Sequence, residues 1–168
     1  MPDKGKISPY SIIFAMLAGL IVLAIWELTK QDPNTTLSES TALNDFFVSQ
    51  FGNSSFYDPS EKLWFGVHIR HWAHTAEFFC LGIFATMSVW FSTKPRVGIT
   101  GIISLAICVL FSLLDQCHKL FVPGRHFDGF DLVMDALGYG IAIVIAITIA
   151  TLLKRKTMKE TSVPKASQ

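Results

Sequence analysis

Pro9-Tyr-Ser-Ile-Ile-Phe-Ala-Met-Leu-Ala-Gly-Leu-Ile-Val-Leu-Ala-Ile-Trp-Glu-Leu28 carries, outside its aromatic rings, Ser11 as its only polar residue before Glu27. A run of about 18 or more apolar residues reads as a bilayer span, because roughly 20 helical residues cross the hydrocarbon core. Three further runs follow, at about 72–91, 97–117 (its apolar part ending near Leu114) and 132–153. Tyr10 and Trp26 flank the first run, and Trp72 and Trp90 flank the second, where amphipathic rings settle at a membrane interface. The expected fold class is an all-α membrane protein, a four-transmembrane-helix bundle.

The composition agrees. Hydrophobic residues make up 51% of the chain and charged residues 16%, against about 25% charged in soluble domains. Lys4 and Lys6 precede the first run as they would in a signal peptide, but the run is long and no small-x-small cleavage site follows it, so it reads as a retained span. Cys80, Cys108 and Cys117 show no metal-finger or redox spacing and read as packing residues. The formal net charge of +1 says nothing until it is mapped onto topology; no nucleic-acid partner is expected, and cofactor and metal content stay open.

Orientation follows from the basic residues of the short flanking segments. Lys4 and Lys6, then Lys94 and Arg96, then Lys154, Arg155, Lys156, Lys159 and Lys165 all fall on one face if the chain crosses four times. Of the thirteen Asp and Glu residues, only Asp3 and Glu160 share that face. Both signals predict amino and carboxyl termini inside. The expected domain covers residues 1–153, with 154–168 a disordered basic cytoplasmic tail. In the long first outer loop Leu43, Phe46, Phe47 and Phe51 recur at helical spacing. They predict a short amphipathic helix from Ser40 to Phe51, capped by Ser38, Ser40 or Thr41.

Ionisable residues gather at the outer ends of three spans. Arg70, His71, His74 and Glu77 open the second, Asp115 and His118 close the third, and Asp131 and Asp135 open the fourth. His74 and Glu77, like Asp115 and His118, are three apart, and Asp131 and Asp135 are four apart, so each pair shares a helix face. The alternating direction of the spans brings the three pairs to a similar depth. Charges within spans are costly and normally face a protein interior or a wet cavity. Pro123-Gly124 is a turn signal that would hold Arg125 over the mouth of this cluster, where its fork suits phosphate or carboxylate. A purely structural reading stands beside the functional one. Arg125 could neutralise carboxylates, the histidines could be hydrogen-bond partners, and Asp131 or Asp135 could favour the helix dipole. Yet buried ion pairs often add little net stability, which favours function. His68, Arg70 and His71 read as headgroup anchors, and Gly138 and Gly140 as close-packing positions.

The segment Asp115-Gln-Cys-His118-Lys-Leu-Phe-Val-Pro-Gly-Arg125, followed by Asp131-Leu-Val-Met-Asp135-Ala-Leu-Gly138, resembles the VanZ-like family pattern D-E-x-H-Q-x-F-V-P-G-R then D-V-x-x-D/N-x-x-G. Arg70-His-Trp-Ala-His74-Thr-Ala-Glu77-Phe-Phe-Cys-Leu-Gly82 is similar to its K-x-x-H-x-x-E/Y-F-x-L-G segment. Gln116 stands where the family usually has Glu, and Lys119 where it has Gln. The resemblance implies a four-span bacterial-type membrane protein, sometimes linked to teicoplanin-type lipoglycopeptide resistance.

Three functions follow as expectations. The first is a non-enzymatic envelope protein that meets membrane lipid and binds an anionic or glycopeptide headgroup through Arg125, His118 and His74, with Glu77, Asp131 and Asp135 in the same site. The second is an enzyme on a lipid-linked phosphate or cell-wall intermediate, with His118 as general acid or base and Asp115 orienting it. A metal-assisted form would use His74, Glu77, Asp115 and His118 as ligands. The third is a carrier, disfavoured because polar groups confined to one leaflet leave no continuous path.

Overall fold

The computed structural model describes residues 8–31, 33–92 and 96–162. The elements run α1 (Pro9–Lys30), α2 (Pro33–Phe51), β1 (Tyr57–Asp58), β2 (Leu63–Trp64), β3 (Val67–His68), α3 (Ile69–Ser92), α4 (Val97–Lys119) and α5 (Gly129–Ser162). Four of these, α1, α3, α4 and α5, are long and apolar enough to cross a membrane. Lys4, Lys6, Lys94 and Lys165, used for the expected orientation, lie outside the described residues.

The four long helices are built inside out relative to a soluble bundle. Ile12, Met16, Leu20 and Leu23 of α1, Ile102 and Leu110 of α4, and Val144 and Leu152 of α5 all point outward and exposed. Ser11, Thr29, Thr86, Thr100, Ser104 and Ser112 are buried between the helices. Hydrocarbon outside gives apolar side chains no reason to turn inward, and small polar residues let helices approach and bond across the interface. Ser11 Oγ donates to the Ser88 carbonyl at 2.9 Å and Ser88 Oγ donates to the Ser11 carbonyl at 3.1 Å. That reciprocal pair ties the start of α1 to the end of α3, so these two helices run antiparallel.

Helix α3 sits centrally and packs against α1, α4 and α5. Phe78, Leu81 and Ala85 of α3 meet Ile25, Cys108, Tyr139 and Ile143 in the apolar core. The α3–α5 approach depends on Gly138, where an added Cβ would lie 2.2 Å from the Thr75 carbonyl oxygen. Gly140 meets nothing within 4 Å, so the close-packing role expected of both glycines falls to Gly138 alone.

Helix α2 begins at Pro33, seven residues before the expected Ser40 start. Ser40 and Thr41 are therefore not caps. Their hydroxyls bond back to the Thr36 and Leu37 carbonyls, at 2.7 and 2.8 Å, as Ser and Thr do inside helices. The chain then forms an unexpected three-stranded antiparallel sheet in the order β1-β2-β3. Phe65 and Gly66 both have positive φ, as a two-residue type I′ hairpin turn demands. Trp64 pins this sheet down. Its ring donates to Asn44 Oδ1 of α2 at 2.9 Å, and its carbonyl accepts from Trp72 Nε1 of α3 at 2.9 Å. At the β1–β2 turn, the Ser60 hydroxyl and amide donate to Asp58 and hold its carboxyl below the usual carboxylate range.

Helix α5 continues past the expected span end at Leu153 to Ser162. Residues 154–162 of the expected disordered tail are thus helical, as the good helix formers Lys154, Arg155 and Lys156 at a C-terminal end favour. Residues 163–168 lie outside the described part.

Candidate functional site

The last turns of α1 and α4 and the first turns of α3 and α5 meet at one end of the bundle, and their polar side chains close into a chain of contacts. Thr29 Oγ1 donates to Asp115 Oδ1 at 2.6 Å. Lys119 Nζ lies 3.1 Å from Asp115 Oδ2 and donates to Asp131 Oδ2 at 2.8 Å. Asp131 Oδ1 meets His71 Nδ1 at 2.7 Å. Asp115, Lys119 and Asp131 are all at most 1% exposed. One lysine therefore links two buried carboxylates, and through them four helices.

Lys119, noted in the sequence only as a departure from the family pattern, follows Asp115 by four residues, the spacing that places an acid and a base on one helix face. Asp135 is buried next to this chain and accepts from Ser112 Oγ at 2.7 Å. Gln116 is fully buried, and its Oε1 accepts the Asp128 amide at 3.1 Å. An amide can thus fill the place of the family's usual Glu in holding the start of α5.

The expected convergence of the three pairs is present for Asp115, Asp131 and Asp135, but two expected partnerships do not form. Asp115 is bonded to Thr29 and Lys119 rather than to His118. His118 instead stacks on Trp26 of α1, with ring centroids 5.3 Å apart. The tetrad His74, Glu77, Asp115 and His118 does not gather as a ligand set. Among the described residues, the set whose ligand atoms lie within 4.8 Å of one another is His71, Asp128 and Asp131. A protein cation, Lys119, already serves Asp131 there. His74 Nδ1 and Glu77 Oε2 lie 3.3 Å apart, without hydrogen-bond alignment.

Arg125 follows a Val122-Pro-Gly-Arg125 turn closed by the Arg125 amide on the Val122 carbonyl at 3.1 Å, with Gly124 at φ 79°. This is the positive φ that glycine supplies at the third position of a type II turn. The side chain reaches the end of α1. Its Nε donates to the Gln31 carbonyl at 3.1 Å, and Nη2 donates to the Leu28 carbonyl at 3.4 Å and to Thr36 Oγ1. Helix-end carbonyls lack intrahelical partners and carry partial negative charge, so a guanidinium is well placed there.

Two cavities flank this arginine. The larger, about 530 Å³, lies between α2, the sheet, the start of α3 and the α4–α5 loop, and Lys62, His68, Arg70, His71, Arg125 and His126 line it against the acidic Glu61 and Asp128. The smaller, about 210 Å³, is lined by Thr29, Glu39, Arg70, His74, Glu77 and Arg125 among others. His118 lines neither. Arg70, read from the sequence as a headgroup anchor, thus faces both cavities.

No curated protein and no solved structure matches the chain. The family model described as VanZ/LLP1 matches residues 12–152, which take in nearly all of α1 through the apolar length of α5 together with the whole polar cluster. The chain belongs to the VanZ-like family.

Proposed function

We propose that this VanZ-like membrane protein acts at the outer leaflet, where it binds an anionic lipid or glycopeptide headgroup and so lowers susceptibility to teicoplanin-type lipoglycopeptides. The observation that carries this reading is the 530 Å³ cavity, whose Lys62, Arg70 and Arg125 outnumber Glu61 and Asp128, with three histidines beside them. A concave, low-dielectric wall with excess positive charge concentrates anions. Arg70 and Arg125 supply the field, His74 and Glu77 line the adjoining cavity, and Asp131 and Asp135 act from beneath by holding His71 and Ser112. The test compares teicoplanin tolerance in cells making wild type and Arg70→Ala at matched membrane levels. Protection by wild type that the variant loses is expected. No protection by wild type would overturn the resistance reading.

A second reading, an enzyme on a lipid-linked phosphate, is favoured by a different observation. His71 lines the larger cavity while its Nδ1 is held by the Asp131 carboxylate at 2.7 Å. A carboxylate that orients an imidazole toward a cleft is the arrangement general base catalysis requires. In this reading His71 and Asp131 take the roles expected of His118 and Asp115. Phosphate release from a lipid-linked phosphate by the purified protein, abolished in His71→Ala and retained in His118→Ala, would support it. No release by wild type would remove it.

A further inference from the structure

The two cavities share Thr36, Ser40, Arg70 and Arg125 in their walls, so they adjoin across the arginine pair. Their chemistry differs. The larger is rich in cations, whereas the smaller carries the carboxylates Glu39 and Glu77 beside Arg70 and Arg125. An anion suits the first and is repelled by the acids of the second.

Three residues that line the smaller cavity also carry buried polar atoms of opposite need. Arg70 Nε makes no hydrogen bond among the described residues, and His74 Nδ1 and Glu77 Oε2 approach each other at 3.3 Å without hydrogen-bond alignment, with His74 only 8% exposed. Buried polar atoms are ordinarily bonded, and leaving them unbonded is costly. A guanidinium can only donate and a carboxylate can only accept, so the group that serves both must donate and accept at once. A hydroxyl does. An ammonium would serve Glu77 and leave Arg70 unserved, and a second phosphate would do the reverse. At about 210 Å³ the cavity is several times the roughly 30 Å³ that a water takes in the liquid, which leaves room for a substituent bearing several hydroxyls.

We propose that the two cavities form one composite site for a phosphate ester with a polyhydroxy substituent, the phosphate in the larger cavity beside Arg70 and the hydroxyls in the smaller against His74 and Glu77. This rests on the anionic-headgroup reading and narrows it. Two sources share the chemistry, a glycerol phosphate headgroup and a sugar phosphate.

The test measures, by calorimetry on the full chain in zwitterionic-lipid nanodiscs, the affinities of inorganic phosphate, glycerol 3-phosphate and glucose 1-phosphate. At least one ester should bind about tenfold more tightly than phosphate, because a single hydrogen bond to a charged group supplies the ~1.4 kcal/mol that a factor of ten requires. Glu77→Gln should remove most of that gain, while phosphate, relieved of a nearby carboxylate, binds no more weakly than to wild type. Glu39→Gln, on the exposed side of α2, serves as the second variant if Glu77→Gln accumulates poorly, and should act in the same direction. The ester that gains more names the source. Esters no tighter than phosphate, or variants that weaken all three ligands alike, would overturn the composite site while the anion reading stands. Binding of none of the three would overturn both.

Discussion

Replacing Lys119 with Met keeps the bulk of an unbranched side chain and removes the charge that lies 2.8 Å from Asp131 and 3.1 Å from Asp115. Both carboxylates are buried, at 0% and 1% exposure, so no solvent is at hand to replace the ammonium. Removing one partner of a buried pair costs about 3–5 kcal/mol, chiefly because the remaining charge is stranded. Here two charges are stranded. Each keeps one hydrogen bond, from Thr29 and from His71, so we expect the loss to stay within that range. For a chain of this length about 2–4 °C is lost per kcal/mol, which puts the fall in Tm at roughly 6–20 °C. Thermal unfolding of the detergent-solubilised protein, followed by the fluorescence of its four tryptophans, measures this. The double variant Lys119→Met, Asp131→Asn should recover at least half the loss, since it removes one stranded charge along with the cation. A fall of less than about 2 °C in the single variant, or a double variant no better than the single, would refute the view that Lys119 holds the four helix ends together through charge.

Other consequences are simpler to state. Gly138→Ala should destabilise by at least about 1–3 kcal/mol, because its Cβ would meet the Thr75 carbonyl oxygen of α3, whereas Gly140→Ala should be neutral or gain about 0.5–1 kcal/mol of helix propensity; paired melting curves check the contrast. Arg125→Ala should cost about 1.5–3 kcal/mol by leaving the Gln31 carbonyl without its guanidinium donor and the Leu28 carbonyl with only the Gln31 amide, with Arg125→Lys recovering part of it, read from the same melts. If the cluster end of the bundle faces outward, then with Cys80, Cys108 and the exposed Cys117 replaced by Ser, Lys62→Cys in the β1–β2 turn should react with a membrane-impermeant maleimide on intact cells, and Lys156→Cys should react only after lysis. The reverse pattern would invert the proposed orientation.

Much of the architecture is legible in the chain because hydropathy is a property of single segments. The four spans need no partner to be recognised, and their alternating direction is enough to put Asp115, Asp131 and Asp135 at one end of the bundle. What escaped reading was decided by contacts between segments. The polar stretch Asn34-Thr-Thr-Leu-Ser38 looks like loop, yet it is helical behind Pro33, whose fixed φ suits a helix start. The two-residue strands are too short to show alternation, and Trp64 holds them through Asn44 and Trp72, which no local pattern announces.

Lys119 shows how a departure from a family pattern can mislead. In the sequence it stands only as a departure from the usual Gln. In the fold it is the group that compensates Asp115 and Asp131, and with Gln116 in place of Glu it shifts the cluster toward positive charge. Arg125 adds a second role to the one its motif position suggests: besides lining both cavities, its side chain bonds the carbonyls that end α1.

The account rests above all on an anion bound beside Arg70. Protein purified from membranes and transferred into zwitterionic detergent can be weighed intact by native mass spectrometry, with and without Arg70→Ala. Retained anionic phospholipid on wild type, lost or sharply reduced in the variant, is the result the cleft predicts. Equal retention by both, or retention by neither, would contradict it.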